Sequence, residues 1–341
     1  MPNQINPSQI MQIGMGFWAS KTLLSAVKLG LFTHLNGTPL TAQELGDRMG
    51  LHKRGTVDFF DTLVSLGLLQ REGNGENARY TNTPETALFL DKDRPEYIGG
   101  VLEMANDRLY PFWGNLEEGL KTGQPQNEIK QRGENFFEGL YSDPERLRQF
   151  MEAMSAVQMG NFITLAEKFD FSPYHTLCDL GGAAGLLSIQ VASRHPHMQC
   201  LSFDLPPVEP IARENIAKSG LAARVTAVAG NFFEDPIPRA DVITMGNVLH
   251  DWNLENKKLL IQKAYNALPE GGALIVIENI IDDERRENTF GLLMSLNMLI
   301  EVGDGFDFTK ADFDSWAKEI GFQKTKVMPL TGPASAVIAY K

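Results

Sequence analysis

The hydrophobic pattern in the first third of the chain predicts helices followed by a β-hairpin. The stretch Ile10–Leu35 has the periodicity of one long amphipathic helix. Thr41 is expected to cap the next helix, because Glu44 three residues later completes a capping box, and Gly50 ends that helix. A further helix over residues 53–66 precedes two short strands that flank a Gly- and Asn-rich turn. Helices in this order, followed by a hairpin, indicate a winged helix.

The pattern changes twice further along the chain. Residues from about 95 to 169 have mostly helical periodicity, with Asp143 and Pro144 placed to begin a long helix. From Tyr174 onward short apolar runs alternate with helical segments, and strands are predicted within 175–180, 199–205, 224–230, 240–249 and 271–280. Strands that alternate with helices form a parallel, doubly wound sheet covered by helices. A last helix and two terminal strands complete the predicted α/β region.

Composition argues against several classes of function. The chain has 341 residues, which is the size of about two domains. Its formal charge is −12, and a net acidic chain is poorly suited to binding nucleic acid. No apolar run is long enough for a membrane span, and the N-terminal segment lacks the pattern of a signal peptide. Cys178 and Cys200 both lie in predicted strands, so we expect two reduced, buried thiols in a cytoplasmic protein.

The predicted winged helix has two alternative roles. DNA binding requires a basic recognition helix, whereas residues 51–67 carry Lys53 and Arg54 together with Asp58 and Asp61. Two adjacent phenylalanines make the same region apolar. Packing or dimerisation is therefore the favoured role, and DNA binding the less favoured one.

A glycine-rich turn follows the first strand of the predicted sheet, with the sequence DLGGAAG from Asp179 to Gly185. Ligands of doubly wound sheets bind beyond the carboxyl ends of the strands, and such a turn lets the backbone approach a ligand. The spacing matches neither the dinucleotide fingerprint nor the phosphate-binding loop. Asp204 lies 25 residues after Asp179, at the end of the next strand, where a carboxylate can accept both hydroxyls of a ribose. Each feature alone fits an ordinary turn or helix cap, but together they predict a nucleoside-bearing cofactor.

Three further side chains are of interest near the same edge of the sheet. His250 follows the fourth strand in the sequence LHDW, and Glu278 ends the fifth strand. A carboxylate in that place can hold an imidazole in one tautomer and stabilise its protonated form. Asp307, in GDGFDFT, is by sequence alone an ordinary turn residue. The histidines show no metal-ligand spacing with cysteines or acids, so no metal site is predicted.

These motifs resemble those of class I S-adenosylmethionine-dependent small-molecule O-methyltransferases. The most similar type is the acetylserotonin, hydroxyindole and plant caffeate group, with its bacterial relatives. The similarity covers nearly the whole chain. DLGGAAG resembles the first cofactor motif of the family, FDLPPV the second, GNFF the third and LHDW the catalytic segment.

The resemblance implies a domain order and a role for individual residues. It places a winged-helix dimerisation domain at residues 1–105, a helical connection contributing to the substrate pocket at 106–170 and a Rossmann-like, doubly wound methyltransferase domain at 171–341. The general base is expected at His250, braced by Glu278 and Asp307. The residues expected to contact the cofactor are Asp179, Gly181, Gly182, Gly185, Asp204, Leu205, Asn231, Phe232 and Trp252. Those expected in the substrate pocket are Met294, Asn297 and Met298, each of which equally suits ordinary helix packing.

The sequence departs from the family pattern at four positions. Asn231 replaces an acidic residue of the third motif, and Asp307 is one methylene shorter than the usual glutamate. Phe308 replaces an arginine, and Gly246 replaces a lysine that often precedes the catalytic histidine. These departures affect the details of the pocket more than the cofactor.

The predicted reaction is methyl transfer from S-adenosylmethionine to a hydroxyl of a small, aromatic acceptor, which leaves S-adenosylhomocysteine and uses no metal. A homodimer through the N-terminal domain is expected, because the apolar face of Met11–Leu35 needs a partner surface. No nucleic acid or membrane partner is expected. Two alternatives remain: the same cofactor with C- or N-methylation, decarboxylation, hydroxylation or a pericyclic step, and a ligand-responsive winged-helix regulator. His250 and Glu278 together favour deprotonation of a hydroxyl.

Overall fold

The computed structural model describes residues 5–128, 130, 140–141 and 143–341, and it divides into two compact units. The first unit ends at Pro111 and the second begins at Phe112. The limits expected for three segments, 1–105, 106–170 and 171–341, stay predictions, and part of the helical connection lies outside the described residues.

The first unit is mainly helical. Its α-helices are α1 (Ser8–Gly14), α2 (Gly16–Lys28), α3 (Leu31–His34), α4 (Ala42–Arg48), α5 (Lys53–Ser65), α6 (Pro84–Phe89) and α7 (Gly99–Met104). A π-helical segment (Ala105–Leu109) leads into α8 (Tyr110–Trp113), which contains the boundary between the units. The strands β1 (Leu40–Thr41), β2 (Leu69–Glu72) and β3 (Arg79–Asn82) form an antiparallel sheet in the order β1-β3-β2. This arrangement is the predicted winged helix.

The prediction of one continuous helix over Ile10–Leu35 is wrong. The chain forms α1, α2 and α3 instead, with breaks at Met15 and Gly30. Gly14 and Gly16 flank the first break, and glycine destabilises a helix by about 1 kcal/mol relative to alanine. Gly30 has a φ of +68°, in the left-handed region that favours glycine. The hydrophobic periodicity continues across both breaks and therefore hides them.

Helix α5 contributes to the core of the first unit. Phe60 is fully buried, and its ring centroid lies 5.5 Å from that of Tyr80 in β3. On the exposed side of the helix, the Arg54 guanidinium donates to the Asp58 carboxylate at 2.9 Å. The apolar face of this helix therefore packs on the β-hairpin, in keeping with the predicted packing role.

The second unit is an α/β domain. Its helices are α9 (Leu116–Thr122), α10 (Pro144–Lys168), α11 (Leu186–Arg194), α12 (Glu209–Lys218), α13 (Leu254–Ala267), α14 (Thr289–Glu301) and α15 (Lys310–Ile320). Its strands are β4 (Thr176–Leu180), β5 (Gln199–Asp204), β6 (Val225–Ala229), β7 (Val242–Gly246), β8 (Ala273–Glu278), β9 (Lys324–Pro329) and β10 (Ser335–Tyr340). Within the described residues these strands form a seven-stranded sheet in the order β6-β5-β4-β7-β8-β10-β9. Strands β4 to β8 pair in parallel, and β10 pairs antiparallel with both β8 and β9.

Two hydrophobic clusters cover the two faces of this sheet. One includes Leu260 of α13 and Trp316 of α15, and the other includes Leu165 of α10 and Leu187 of α11. Every residue of β8 is buried, as expected for a central strand with helices on both faces. Because β4, β5, β7 and β8 run in parallel, their carboxyl ends meet at one edge of the sheet, where ligands of such sheets bind. No described helix has the length and apolar character needed to cross a membrane.

Candidate active site

The glycine-rich turn lies at the carboxyl end of β4. Gly181 has a φ of +66°, and a side chain there would place its Cβ 2.7 Å from Cγ2 of Val248. The N–H of Gly181 donates to the Phe203 carbonyl at 2.9 Å. Ala183 also has a positive φ, of 47°, and its N–H donates to Oδ2 of Asp204 at 2.8 Å. The backbone of the turn is therefore held against the end of β5.

Asp204 is oriented by two backbone donors. Besides the Ala183 N–H, the N–H of Leu205 donates to Oδ1 of Asp204 at 2.7 Å. Burial raises the pKa of Asp204 to about 6, although both hydrogen bonds favour the carboxylate form. Burial and the negative charge of Asp204 also raise the pKa of Tyr141, a residue that the sequence motifs do not include. Each oxygen of Asp204 keeps a lone pair for another donor, so the carboxylate can accept hydroxyl groups of a ligand.

Three of the predicted cofactor residues pack the glycine-rich turn against neighbouring elements. Asp179 is buried, and its Oδ1 accepts a hydrogen bond from the Thr244 hydroxyl at 2.6 Å. Burial raises the pKa of Asp179 to about 7. A Cβ on Gly182 would lie 2.3 Å from the Ser202 hydroxyl oxygen, and one on Gly185 would touch side chains of α12. Glycine at these two positions therefore allows the turn to pack closely on β5 and α12.

Aromatic side chains lie beside the turn. The Phe232 ring comes within 4.0 Å of the position that a Cβ on Gly181 would occupy. Trp252 packs edge-on against Phe232 and Phe233, with centroid distances of 6.2 and 4.6 Å. Its Nε1 is buried and has no hydrogen-bond partner among the described residues. Asn231 accepts a hydrogen bond from the Phe233 N–H at 3.0 Å, which fixes this loop. The arrangement offers aromatic surface to a planar ligand.

His250 lies in a short 3₁₀ turn (Leu249–Asp251) after β7 and is buried. Its Nδ1 is 3.5 Å from Oε2 of Glu278 and 3.7 Å from Oδ1 of Asp307. Its Nε2 is 3.5 Å from Oδ1 of Asp251, and its backbone N–H donates to Oε1 of Glu278 at 3.2 Å. The structure thus brings the three predicted catalytic side chains together and adds a third carboxylate.

The carboxylates control the protonation of the imidazole. Burial lowers the pKa of His250, but Glu278, Asp251 and Asp307 raise it by more, and the net pKa rises to about 10. Burial raises the pKa of Glu278 to about 7. Four buried atoms of this cluster have no hydrogen-bond partner among the described residues: Nδ1 of His250, Oε2 of Glu278 and both carboxylate oxygens of Asp307. One side-chain nitrogen or oxygen from each of His250, Glu278 and Asp307 lies within 4.8 Å of the other two. The three side chains can therefore share a proton, and they have the spacing to hold a cation.

The predicted substrate residues occupy α14, which adjoins this cluster. They are Met294, Asn297 and Met298. The Trp113 indole Nε1 donates to Oδ1 of Asn297 at 2.9 Å, which orients the amide. The N–H of Asp307 donates to the Ser295 hydroxyl at 3.2 Å and so links α14 to the loop that carries Asp307. Met298 is buried, whereas Met294 and Asn297 are partly exposed.

Lys257 is a site residue that the motifs missed. It is fully buried on α13; its Nζ donates to the Trp252 carbonyl and lies 3.6 Å from the centroid of the Phe306 ring. Desolvation lowers the pKa of this ammonium group to about 8. The sequence could have indicated its burial through the helical pattern, because Lys257 shares the buried face of α13 with Leu260 and Ala264.

Models of two domains match this chain. A model described as an O-methyltransferase domain matches residues 113–323, and one described as an O-methyltransferase dimerisation domain matches residues 11–92. The tetracenomycin polyketide synthesis 8-O-methyl transferase TcmO of Streptomyces glaucescens is 41% identical over 98% of this chain and 97% of its own length. The N,N-dimethyltransferase OxyT of Streptomyces rimosus is 34% identical over 92% of this chain and 90% of its own.

The same fold occurs in a solved enzyme that contains the predicted cofactor. The crystal structure of human N-acetylserotonin methyltransferase in complex with S-adenosylmethionine has a TM-score of 0.89 and 28% identity, and covers 100% of this chain and 99% of its own. The predicted fold class and cofactor are therefore confirmed, and the family needs no metal. The chain belongs to the S-adenosylmethionine-dependent O-methyltransferase family, and its first unit carries that family's dimerisation domain.

Proposed function

We propose that this methyltransferase acts on a hydroxyl of a small aromatic acceptor and that His250 is its general base. The observation that carries the proposal is the surroundings of the buried imidazole. Its Nδ1 has the carboxylates of Glu278 and Asp307 at 3.5 and 3.7 Å. An imidazole in this setting can accept a proton on its other nitrogen, because both carboxylates stabilise the charge that results.

The proton affinity of His250 suits a phenolic acceptor. A phenol has a pKa of about 10 and a free imidazole one of about 6.5, so unassisted transfer is uphill by about 3.5 units, or roughly 5 kcal/mol. The carboxylates around His250 raise its pKa in the ligand-free enzyme and so narrow this gap, whereas a bound cationic cofactor lowers the pKa again. S-adenosylmethionine supplies a methyl group that is electrophilic because its sulfur is positively charged. We expect His250 to be neutral in the complex, since a cation bound at this edge of the sheet opposes the imidazolium form.

The residues around the glycine-rich turn fit this cofactor. The carboxylate of Asp204 is oriented by backbone donors and has lone pairs left for ribose hydroxyls. The free indole N–H of Trp252 and the ring of Phe232 border a place for an adenine. The backbone of Gly181 and Gly182 can approach the cofactor, while Asp179 and Gly185 support the turn. We assign the remaining contacts to Leu205 and Asn231.

The acceptor class is proposed from the relatives and from α14. Relatives of this chain act on aromatic polyketide and hydroxyindole substrates. We propose that Met294, Asn297 and Met298 line the acceptor pocket. Methionines provide adaptable apolar surface for a planar ring system. Because Trp113 occupies the Asn297 carbonyl oxygen, the amide nitrogen is the group left to donate to an acceptor oxygen.

A second candidate reaction is methylation of an aromatic amine. The observation that favours it is the 34% identity with OxyT, whose name is that of an N,N-dimethyltransferase. The two reactions differ in their need for a base, because a neutral amine attacks without prior loss of a proton. Matched phenol and aniline acceptors therefore distinguish them.

We also propose that the enzyme is a cytoplasmic homodimer joined through its first unit. Helices α1 and α2 carry exposed apolar side chains, among them Ile10, Ile13, Phe17 and Trp18. Several large apolar side chains exposed on two neighbouring helices are typical of a subunit interface. The free, buried thiols of Cys178 and Cys200 suit a reducing compartment.

The proposal is tested first by calorimetric titration with S-adenosylmethionine and S-adenosylhomocysteine. Hydroxylated naphthalenes and anthracenes, with their amino counterparts, are then screened by mass spectrometry for the gain of one methyl group. His250→Ala is expected to keep cofactor affinity and to lose turnover by about 10²- to 10⁴-fold, the usual contribution of a general base. His197→Ala, an exposed histidine outside the cluster, is the control. Unchanged turnover in His250→Ala contradicts its assignment as base, and turnover of anilines alone supports the second candidate.

A further inference from the structure

Lys257 is a buried cation beside the catalytic cluster, and the proposed mechanism leaves it without a role. Its side chain has no solvent exposure. Its ammonium group donates to the Trp252 carbonyl and lies 3.6 Å from the centroid of the Phe306 ring. It forms no ion pair with the carboxylates around His250 in the described part of the chain. Burial of an ammonium group without a directly paired carboxylate is costly, so its position requires an explanation.

The two contacts of Lys257 fall on the two segments that carry reacting groups. Trp252 lies two residues after His250, and Phe306 immediately precedes Asp307. A hydrogen bond to one segment and a cation–π contact to the other connect them through a single side chain. Lys257 therefore lies where a small displacement would change the distance between the imidazole and the Asp307 carboxylate.

These two segments are also in close contact through their backbones. A Cβ on Gly305 would lie 2.6 Å from the His250 carbonyl oxygen and 2.9 Å from the backbone carbon of Asp251. The loop before α15 can approach the 3₁₀ turn this closely only because residue 305 is glycine. The contacts of Lys257 thus hold together a junction that is already tightly packed.

The charge of Lys257 faces carboxylates from three elements. They are Asp251 in the 3₁₀ turn, Glu278 at the end of β8 and Asp307 in the loop before α15, and all three raise the pKa of the lysine against the effect of desolvation. Burial raises the pKa of Asp251, and the positive charge of Lys257 opposes that rise. The phenol of Tyr141 also faces Asp251. Lys257 is thus the second cationic partner of a buried acidic cluster, next to the imidazole itself.

We infer that Lys257 is a positioning residue for methyl transfer, which holds the His250 turn against the Asp307 loop and so keeps the Asp307 carboxylate beside the imidazole. This inference rests on the proposed role of His250 as the base. An imidazole among three carboxylates retains its proton strongly. A wider gap between the two segments moves the Asp307 carboxylate away from Nδ1 of His250 and lowers the pKa of the base, because Asp307 is one of the carboxylates that raise it.

The test compares Lys257→Met, Lys257→Gln and the control Lys258→Met. Methionine removes both the charge and the hydrogen bond, whereas glutamine removes the charge and can still donate to the Trp252 carbonyl. Lys258 is the neighbouring residue on α13, and its partner is Glu319 at the surface. The main readout is kcat against pH at saturating S-adenosylmethionine, with an acceptor found in the screen above.

Lys257→Met is expected to move the acid limb of kcat to lower pH by about one unit and to lower the plateau of kcat, and Lys257→Gln, which can still donate to the Trp252 carbonyl, is expected to move the limb less. Lys258→Met is expected to match the wild type. An acid limb that stays in place or moves to higher pH in Lys257→Met overturns the inference, even where kcat falls, because a merely structural lysine lowers the rate without this shift in its pH dependence. If Lys257→Met does not unfold cooperatively, Lys257→Gln alone provides the comparison.

Amide hydrogen exchange separates this inference from the proposed function. Lys257→Met is expected to speed exchange in residues 247–254 and 303–309, and Lys258→Met to leave both segments unchanged. If the wild type methylates no hydroxylated acceptor, the proposed function fails and the exchange data alone decide the role of Lys257. Faster exchange confined to the two segments then supports positioning, and wild-type exchange overturns it.

Discussion

At the scale of single residues, the pKa of His250 makes the rate depend on pH in a defined direction. Burial lowers this pKa, and Glu278 makes the largest contribution to raising it. Glu278→Gln is therefore expected to move the acid limb of kcat to lower pH, because the imidazolium form loses its main stabilising charge. The plateau rate is expected to fall on the order of tenfold or more, since the same charge stabilises the proton transfer. A limb that moves to higher pH contradicts the electrostatic account of the site.

The proposed contact between Asp204 and the cofactor predicts that binding releases protons. In the ligand-free enzyme burial raises its pKa to about 6, whereas hydroxyl donors of a ribose stabilise the ionised form. Binding of S-adenosylhomocysteine near pH 6 is therefore expected to release a fraction of a proton, and binding at pH 8 to release none from this group. Calorimetry in two buffers of different ionisation enthalpy measures the released protons. Asp204→Asn is expected to abolish the release and to weaken binding by about tenfold or more. Proton release at pH 6 that persists in Asp204→Asn contradicts the assignment.

The sequence could predict the residues that follow strands, but not those placed by tertiary packing. His250, Glu278 and Asp204 each come at or just after the carboxyl end of a strand, and parallel strands bring such positions together. Asp307 required the family resemblance, because a carboxylate in a loop has no pattern of its own. Lys257 was missed because a lysine on a helix is normally exposed. Its burial depends on α13 packing beside a loop that lies about 50 residues further along the chain.

At the scale of elements, a substitution in the glycine-rich turn can be compared with a matched control at another glycine of similar φ. Gly181 has a φ of +66° and would bring a Cβ within 2.7 Å of Val248, whereas Gly220 has a φ of +73° with nothing within 4 Å. Gly220→Ala is therefore expected to cost only the backbone strain, roughly 1–2 kcal/mol, and to leave cofactor affinity unchanged. Gly181→Ala adds a steric clash at the cofactor turn, so we expect a larger loss of stability together with at least tenfold weaker binding of S-adenosylhomocysteine. Thermal unfolding and calorimetry measure both effects, and equal behaviour of the two variants contradicts a special role for the turn.

Elements with local chemical signals were predicted well, and elements that depend on backbone strain were not. Thr41 and Glu44 form the expected reciprocal capping box, because both partners lie within one helical turn. The expected strands of the sheet were recognised because buried apolar runs alternate with amphipathic helices. The breaks at Met15 and Gly30 were missed, since hydrophobic periodicity reports which side is apolar and carries little information about φ.

At the scale of the whole molecule, the two units carry separable tasks. The proposed cofactor and proton-transfer residues, from Asp179 to Asp307, all lie in the second unit. The model of the dimerisation domain matches residues 11–92, entirely within the first unit. The exposed apolar side chains on α1 and α2 have no role in the proposed chemistry. Association of two chains is the simplest explanation of their exposure.

The proposed dimer is tested by placing charge on this apolar face. Phe17 and Trp18 are about half exposed on α2, and burial of two aromatic side chains in an interface contributes several kcal/mol. The wild type is expected to sediment at twice the 37.9 kDa of the chain, and Phe17→Asp with Trp18→Asp to sediment at the mass of one chain. Leu259→Asp, at a similarly exposed position on α13 in the second unit, is the matched control and is expected to stay dimeric. Because the first unit has its own buried core, the double variant should keep its thermal unfolding transition at low protein concentration. A dimer that survives the double substitution, or dissociates equally in Leu259→Asp, places the interface elsewhere.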